Sequence, residues 1–118
     1  MKMPTDIHLT NEDLQLSLYA FFDRYCGELG WVPKTIEQYR RYIRMIDHVL
    51  GSPPFEEIDE PTVQEAVQKV RMSSKRKSGF SDQTLEMMVG IFRDLCRFAE
   101  RCSDGLYFDV CANEKWRV

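Results

Sequence analysis

Apolar residues recur every three or four positions through most of the 118-residue chain, which is the spacing of one face of an α-helix. The first stripe begins after Thr10, a residue suited to cap a helix N-terminus, and ends at Gly30. The second begins at Pro33, which is favoured in the first turn of a helix, and ends before Gly51. These stripes predict helices over residues 11–29 and 33–50.

Two further helices follow a spacer that contains adjacent prolines. Asp59 can cap the third helix, and Ser81 can cap the fourth, with Phe80 placed to pack on Leu85 as a hydrophobic staple. The fourth stripe is apolar over more than half of its circumference, so this helix should lie among the others. The predicted bounds are 60–73 and 82–102.

Four helices with short connections, and no alternating strand pattern, predict a compact all-α four-helix bundle. The length allows one domain. We assign residues 11–105 to this domain, 1–10 to an N-terminal tail and 106–118 to a C-terminal tail or linker. Residues 73–79 contain three adjacent cations and no apolar residue, so we expect an exposed, mobile loop there.

The net charge, taken alone, argues against a nucleic-acid-binding protein. The chain has 16 Lys and Arg against 19 Asp and Glu, a net charge of −3, which should repel DNA and anionic membranes. Sums over segments change this picture. Residues 34–51 carry +2 and 69–80 carry +5, whereas 1–33 carry −3 and 52–68 carry −5. The total therefore hides a strong local polarity.

The sequence predicts a cytoplasmic protein. No stretch approaches the roughly 18 consecutive apolar residues that a membrane span needs, and the first residues lack the apolar run of a signal peptide. The four cysteines have no CxxC spacing, and cysteines in an intracellular chain normally stay reduced. We expect neither a membrane association nor a structural disulfide.

The residues offer little support for an enzyme or a metal centre. No motif links His8 or His48 to a serine or cysteine nucleophile. Cys96 and Cys102 are separated by about 600° of helix rotation, which favours core residues over zinc ligands. The acidic residues of 56–60 lack the alternating ligands and central glycine of a calcium loop, and glycine-rich phosphate motifs are absent. We expect no catalytic residue, metal, cofactor or small-molecule substrate.

Cations and hydroxyl groups occur together at the starts of two predicted helices. The segment 69–77 holds five cations and no acid, and Ser81 and Thr84 follow at a helix N-terminus. Lys34 and Thr35 repeat the arrangement at the second helix. Such helix starts bind phosphate well, because free backbone N–H groups and the helix dipole add to the side chains. The pattern suits a protein that straddles a duplex backbone, although a solvated loop with ordinary surface arginines explains it equally.

Three stretches of the sequence indicate a protein family more specifically together than any of them does alone. They are PKTIEQYRRYI at 33–43, FEEIDEPTV at 55–63, and FSDQTL at 80–85, which continues through IFR at 91–93 to FA at 98–99. In order and spacing, the sequence from Trp31 onward resembles the core-binding domain of tyrosine recombinases of the phage-integrase family. That domain is a helical module with a SAM-like fold.

The resemblance implies a module that clamps duplex DNA at a recombination core site, for DNA integration and recombination. It implies partner protomers in a synaptic complex, and a bacterial or phage protein that is nucleoid-associated when bound. Strand cleavage would belong to a separate catalytic domain after residue 118, so this chain is not expected to be an enzyme by itself. The family usually has an asparagine–proline pair before that domain, whereas this tail has Asn113-Glu114.

In the family, DNA is contacted chiefly from the second and fourth helices and their flanking loops. The DNA-contact candidates implied for this chain are Lys34, Thr35, Tyr39, Arg40, Arg41, Arg44, Lys75, Arg76, Lys77, Ser81, Gln83 and Thr84.

A helical protein-interaction module without DNA binding is the alternative. It would use exposed aromatic and methionine side chains, of which the candidates are Tyr42, Met45, Met87 and Trp116. A contiguous exposed apolar patch would favour this alternative.

Overall fold

The computed structural model describes residues 7–73 and 80–103, and its regular structure is helical. The α-helices are α1 (Asn11–Leu14), α2 (Leu18–Tyr25), α3 (Pro33–Leu50), α4 (Glu60–Ser73) and α5 (Asp82–Cys102), with 3-10 turns at Cys26–Glu28 and Phe55–Glu57. No β-strand occurs within the described ranges. The predicted all-α bundle is confirmed.

The bounds of α3, α4 and α5 match the predicted helices because their end signals act as the sequence indicates. Gly51 ends α3 in the left-handed conformation, with φ 81°. Asp59 Oδ1 accepts the backbone N–H of Thr62 at 3.0 Å, and Ser81 Oγ accepts that of Thr84 at 3.2 Å. Apart from its first residue, the loop expected at 73–79 lies outside the described residues, as does the tail expected at 106–118.

The predicted first helix, 11–29, is divided into α1, α2 and a 3-10 turn. Ser17 interrupts it, because its Oγ accepts the backbone N–H of Ala20 at 3.2 Å and so caps a new helix. The backbone on either side pairs with the spacer before α4: the Phe55 N–H donates to the Leu16 carbonyl at 2.7 Å, and Ser17 forms an isolated antiparallel bridge with Pro54. The apolar spacing continues across the break because α1 and α2 face the same core.

The core is built around α5, as its wide apolar stripe predicts. Aromatic rings fill its centre: Phe21 stacks on Phe55 with ring centroids 4.2 Å apart, and Phe55 lies 6.1 Å from Phe92. The assigned N-terminal tail also contributes, since Ile7 and Leu9 are buried. The Leu9 N–H donates to the carbonyl of Cys102 at 2.8 Å, which joins this segment to the end of α5. Cys26, Cys96 and Cys102 are all buried side chains.

One buried carboxylate joins α4 to α5. Glu60, at the first position of α4, is only 1% exposed and accepts two hydrogen bonds from Arg93, at 2.6 Å from Nε and 2.8 Å from Nη2. Gln64 donates a third at 3.1 Å. A forked arginine–carboxylate contact of this kind fixes the relative position of two helices as well as satisfying the charge.

Candidate nucleic-acid interface

A polar, exposed face runs along α3. Lys34, Gln38 and Arg41 lie on it, because residues three, four and seven apart share one side of a helix. All three are exposed, and the ion pairs of the described residues involve neither Lys34 nor Arg41. Glu37 is the acidic residue on this side, so the face has a net positive charge.

An aromatic contact joins this face to the start of α5. The rings of Tyr42 and Phe80 meet edge to face, with centroids 6.2 Å apart, and Gln38 donates to the Tyr42 hydroxyl at 3.1 Å. Phe80 directly precedes Ser81, the N-cap of α5. The N-terminus of α5 therefore lies beside the middle of α3. We call Lys34, Gln38, Arg41, Ser81 and Gln83 the α3–α5 face.

The two helix N-termini do not meet at one point. Tyr39, one turn before Tyr42, lines a groove with later residues of α5, namely Met87, Gly90, Ile91 and Asp94. The helices therefore pass each other in opposite directions. Lys34 and Thr35 lie away from Ser81, because the eight residues from Lys34 to Tyr42 rise by about 12 Å. The N-termini of α3 and α5, which the sequence predicts to bind phosphate, therefore lie at opposite ends of one face.

Arg40 and Arg44 turn from this face toward α2. Arg44 donates to the Tyr19 hydroxyl at 2.9 Å, and its guanidinium carbon lies 5.2 Å from the ring centroid. Arg40 pairs with Asp23 and lies 6.0 Å from the ring centroid of Phe22. The hydrogen bonds from Arg44 and Arg40 lower the pKa of Tyr19, and the bond to Asp23 raises the pKa of Arg40. Arg40 is thus half-buried and paired with a residue of α2, whereas Arg44 remains exposed.

Two further candidates on α3 are half-buried. Tyr39 meets Trp31 edge to face with centroids 5.1 Å apart and packs against the core. Thr35 is also only partly exposed. The Tyr39 ring therefore supports the first turns of α3, and the longer side chains around it form the accessible surface.

At the start of α5, Ser81 and Gln83 are exposed and Thr84 is half-buried. Arg71 is one of the five cations of the segment 69–77, but its Nε donates to the Phe80 carbonyl at 3.1 Å and its guanidinium pairs with Asp82. Arg71 thus links the end of α4 to the start of α5. Lys75, Arg76 and Lys77 lie outside the described residues.

Gln38 is not among the predicted DNA-contact candidates, although its position on α3 places it with two of them. It stands four residues after Lys34 and three before Arg41, so any helix that exposes those two cations exposes Gln38 between them. An amide at that place can donate to a phosphate or contact a base edge.

Gly90 occupies an open place in the groove between α3 and α5, whose volume is about 290 Å³. A Cβ atom added at Gly90 would meet nothing within 4 Å, and its backbone is ordinary helix. The fold itself therefore does not require glycine here.

Substituting Gly90→Ala is expected to raise the free energy of unfolding by about 1 kcal/mol, since glycine in a helix interior is less favourable than alanine by this amount. Urea denaturation followed by circular dichroism measures the change at low protein concentration. A loss of stability would mean that the groove is more tightly packed than the structure shows.

Two further observations concern metal binding and membrane spanning. Within residues 7–73 and 80–103, no three His, Cys, Asp or Glu side chains lie close enough together to hold a metal ion. None of the helices in those ranges is both long and apolar enough to cross a membrane. In comparisons with known proteins, no family model, no curated protein and no solved structure matches the chain.

Proposed function

We propose that this chain is the duplex-DNA-binding module of a site-specific recombinase of the tyrosine recombinase family. The resemblance of its three sequence stretches supports the family, and the all-α bundle is compatible with the SAM-like fold. The observation that supports DNA binding best is the Tyr42–Phe80 contact, because it places the capped N-terminus of α5 beside the cationic side of α3.

The proposed mechanism is electrostatic positioning. Lys34 and Arg41 are seven residues apart, which is a rise of about 10 Å and close to the width of the major groove, about 12 Å. The two cations can therefore hold phosphates on either side of a groove while Gln38 lies between them. Ser81 and Gln83 add polar groups at the start of α5. Such contacts fix the register of the module on the duplex, and little sequence is read through them.

Strand cleavage and rejoining are assigned to another part of a longer protein. The proposal thus gives this chain a binding role, with duplex DNA and other recombinase protomers as partners in the cytoplasm. No small-molecule substrate or cofactor is part of it.

Binding to a fluorescein-labelled duplex of about 25 base pairs, followed by anisotropy, tests the proposal. We expect the logarithm of the association constant to fall linearly with the logarithm of salt concentration, with a slope between about −3 and −5, because each phosphate contact contributes about −0.9. The triple variant K75A/R76A/K77A should have a shallower slope if these cations contact phosphates. Binding that is independent of salt, or no binding at low salt, would contradict the proposal.

The alternative, a protein-interaction module, receives support at one residue. Tyr42 and Met45 are half-buried against the core, and Trp116 lies outside the described residues. Among the residues that the structure describes, the exposed large hydrophobic side chains are Val32, at 59%, and Met87, at 37%. Met87 borders the groove at Gly90.

A further inference from the structure

The exposed side of α5 carries a row of residues suited to pair with a second copy of the same helix running in the opposite direction. In such a pair, each central charge would face an opposite charge. Gly90, Asp94, Arg97 and Arg101 follow one another at spacings of four, three and four, which places them on one side of the helix. Arg97 and Arg101 are exposed, Asp94 is half-buried, and Gly90 leaves open space between them and Met87. We call these four residues the α5 stripe.

Gly90 leaves room for another molecule to approach the backbone of α5 closely. Glycine in a helix interior destabilises the helix by about 1 kcal/mol relative to alanine, and neither the backbone conformation nor the packing of this fold requires it. A glycine on a helix surface removes the side chain that would keep another backbone or a long side chain at a distance. The exposed Met87, one turn earlier, provides apolar surface at the same place.

The charges of the α5 stripe favour one orientation for a second copy of α5. If two copies of the helix lie antiparallel about a two-fold axis between residues 94 and 97, Asp94 of each copy faces Arg97 of the other. Gly90 then faces Arg101 of the other copy, so that its open space accommodates a long arginine side chain. A parallel pair in the same register would place Asp94, Arg97 and Arg101 against themselves, and like charges in contact are unfavourable.

The environment of Asp94 is consistent with this arrangement. Burial raises the pKa of Asp94, and the guanidinium of Arg97 on the same helix, 3.4 Å away, offsets this only in part. A second arginine from an antiparallel copy would stabilise the carboxylate further, because it would add a charge-assisted hydrogen bond.

We propose that a second copy of this chain docks antiparallel on the α5 stripe, with Asp94 and Arg97 paired reciprocally across the two-fold axis. A contact centred on one helix pair buries less surface than the roughly 1,200 Å² at the low end of stable interfaces, so the dimer is weak and reversible. The inference does not rest on DNA binding.

Sedimentation equilibrium without DNA, at protein concentrations from about 10 μM to 1 mM, tests the proposal. The substitution Asp94→Arg leaves only cations at the centre of the stripe, and Arg97→Asp leaves only acids, so each variant alone should dimerise at least about tenfold more weakly. An equimolar mixture of the two should regain dimers, because the cationic centre of one stripe then faces the acidic centre of the other.

A matched control reverses another exposed acid–base pair. In E65R/K69E the i,i+4 pair on α4 is exchanged, and dimerisation should equal that of the parent. Gly90→Leu should give a monomer whose melting temperature is close to that of the parent, since a Cβ at this position meets nothing within 4 Å and the adjacent groove has a volume of about 290 Å³. A parent chain that stays monomeric at 1 mM, or a mixture that does not regain dimers, would overturn the proposal. Neither result bears on the anisotropy measurement of duplex binding.

Discussion

Replacing Arg93 with methionine is expected to lower the free energy of unfolding by about 2–3 kcal/mol. The substitution keeps the length and apolar stem of the side chain but leaves the 1%-exposed Glu60 carboxylate with two fewer hydrogen bonds. Removing one partner of a fully buried pair typically destabilises a protein by about 3–5 kcal/mol. The expected value is smaller because the Arg93 side chain is itself 46% exposed and Gln64 still donates to Glu60.

A double-mutant cycle separates the ion pair from the packing of the two side chains. In R93M/E60Q the buried group is a neutral amide, so the double variant should recover at least about 1 kcal/mol relative to R93M. Urea denaturation followed by circular dichroism measures all four proteins.

Arg97→Met is the matched control, because Arg97 is also an α5 arginine with an acidic neighbour but its side chain is 68% exposed. It should change the free energy of unfolding by less than about 0.5 kcal/mol. Equal losses from R93M and R97M would show that Glu60 does not depend on Arg93.

The Glu60–Arg93 pair also limits the cations that are available to a partner. Arg93 borders the groove at Gly90, where its charge would otherwise attract an anion. Because its Nε and Nη2 both donate to Glu60, this arginine holds α4 and α5 in register. The cations that remain accessible near the groove are those of the α3–α5 face and the α5 stripe.

Local signals were sufficient to predict the fold class and three of the four helices. Caps and end glycines act within four residues, so Asp59, Ser81 and Gly51 fix the ends of α3, α4 and α5 without reference to the rest of the chain. The break at Ser17 could not be predicted in this way. It depends on pairing with Phe55 and Pro54, nearly forty residues later, and the apolar spacing continues through it.

The candidate site was predictable in residue type and only partly in geometry. The helix-start pattern pointed to Lys34, and the family resemblance implied both Lys34 and Arg41 as contact candidates; the structure exposes both on one face of α3. Spacing alone could not show that Arg40 and Arg44 turn toward α2, because Tyr19 and Asp23, which receive them, lie on another helix. Nor could it show that Arg71 pairs with Asp82, since the two residues meet only when α4 and α5 pack together.

The double variant K34E/R41E is expected to bind duplex DNA about 100-fold more weakly than the parent at 0.1 M salt. Each substitution removes a phosphate contact and adds a repulsive charge, and a loss of about tenfold per residue is the order expected for such contacts. The neutral variant K34Q/R41Q should lose less affinity, and its salt slope should be less steep by about 2.

The change in total charge must be separated from the change at the α3–α5 face. The variant R24E/K69E makes the same change in net charge, but its two residues lie on α2 and α4, where they pair with Asp13 and Glu65. The Lys69–Glu65 pair is exposed and contributes little to stability. The Asp13 side chain is only 11% exposed, but it also accepts hydrogen bonds from Thr10 and Tyr25, and circular dichroism checks that this variant folds. Because long-range interactions are screened at this salt concentration, its affinity should fall by less than about threefold. Equal losses from both charge-reversal variants would mean that the duplex responds to the overall charge of the molecule, and the α3–α5 face would then have no special role in binding.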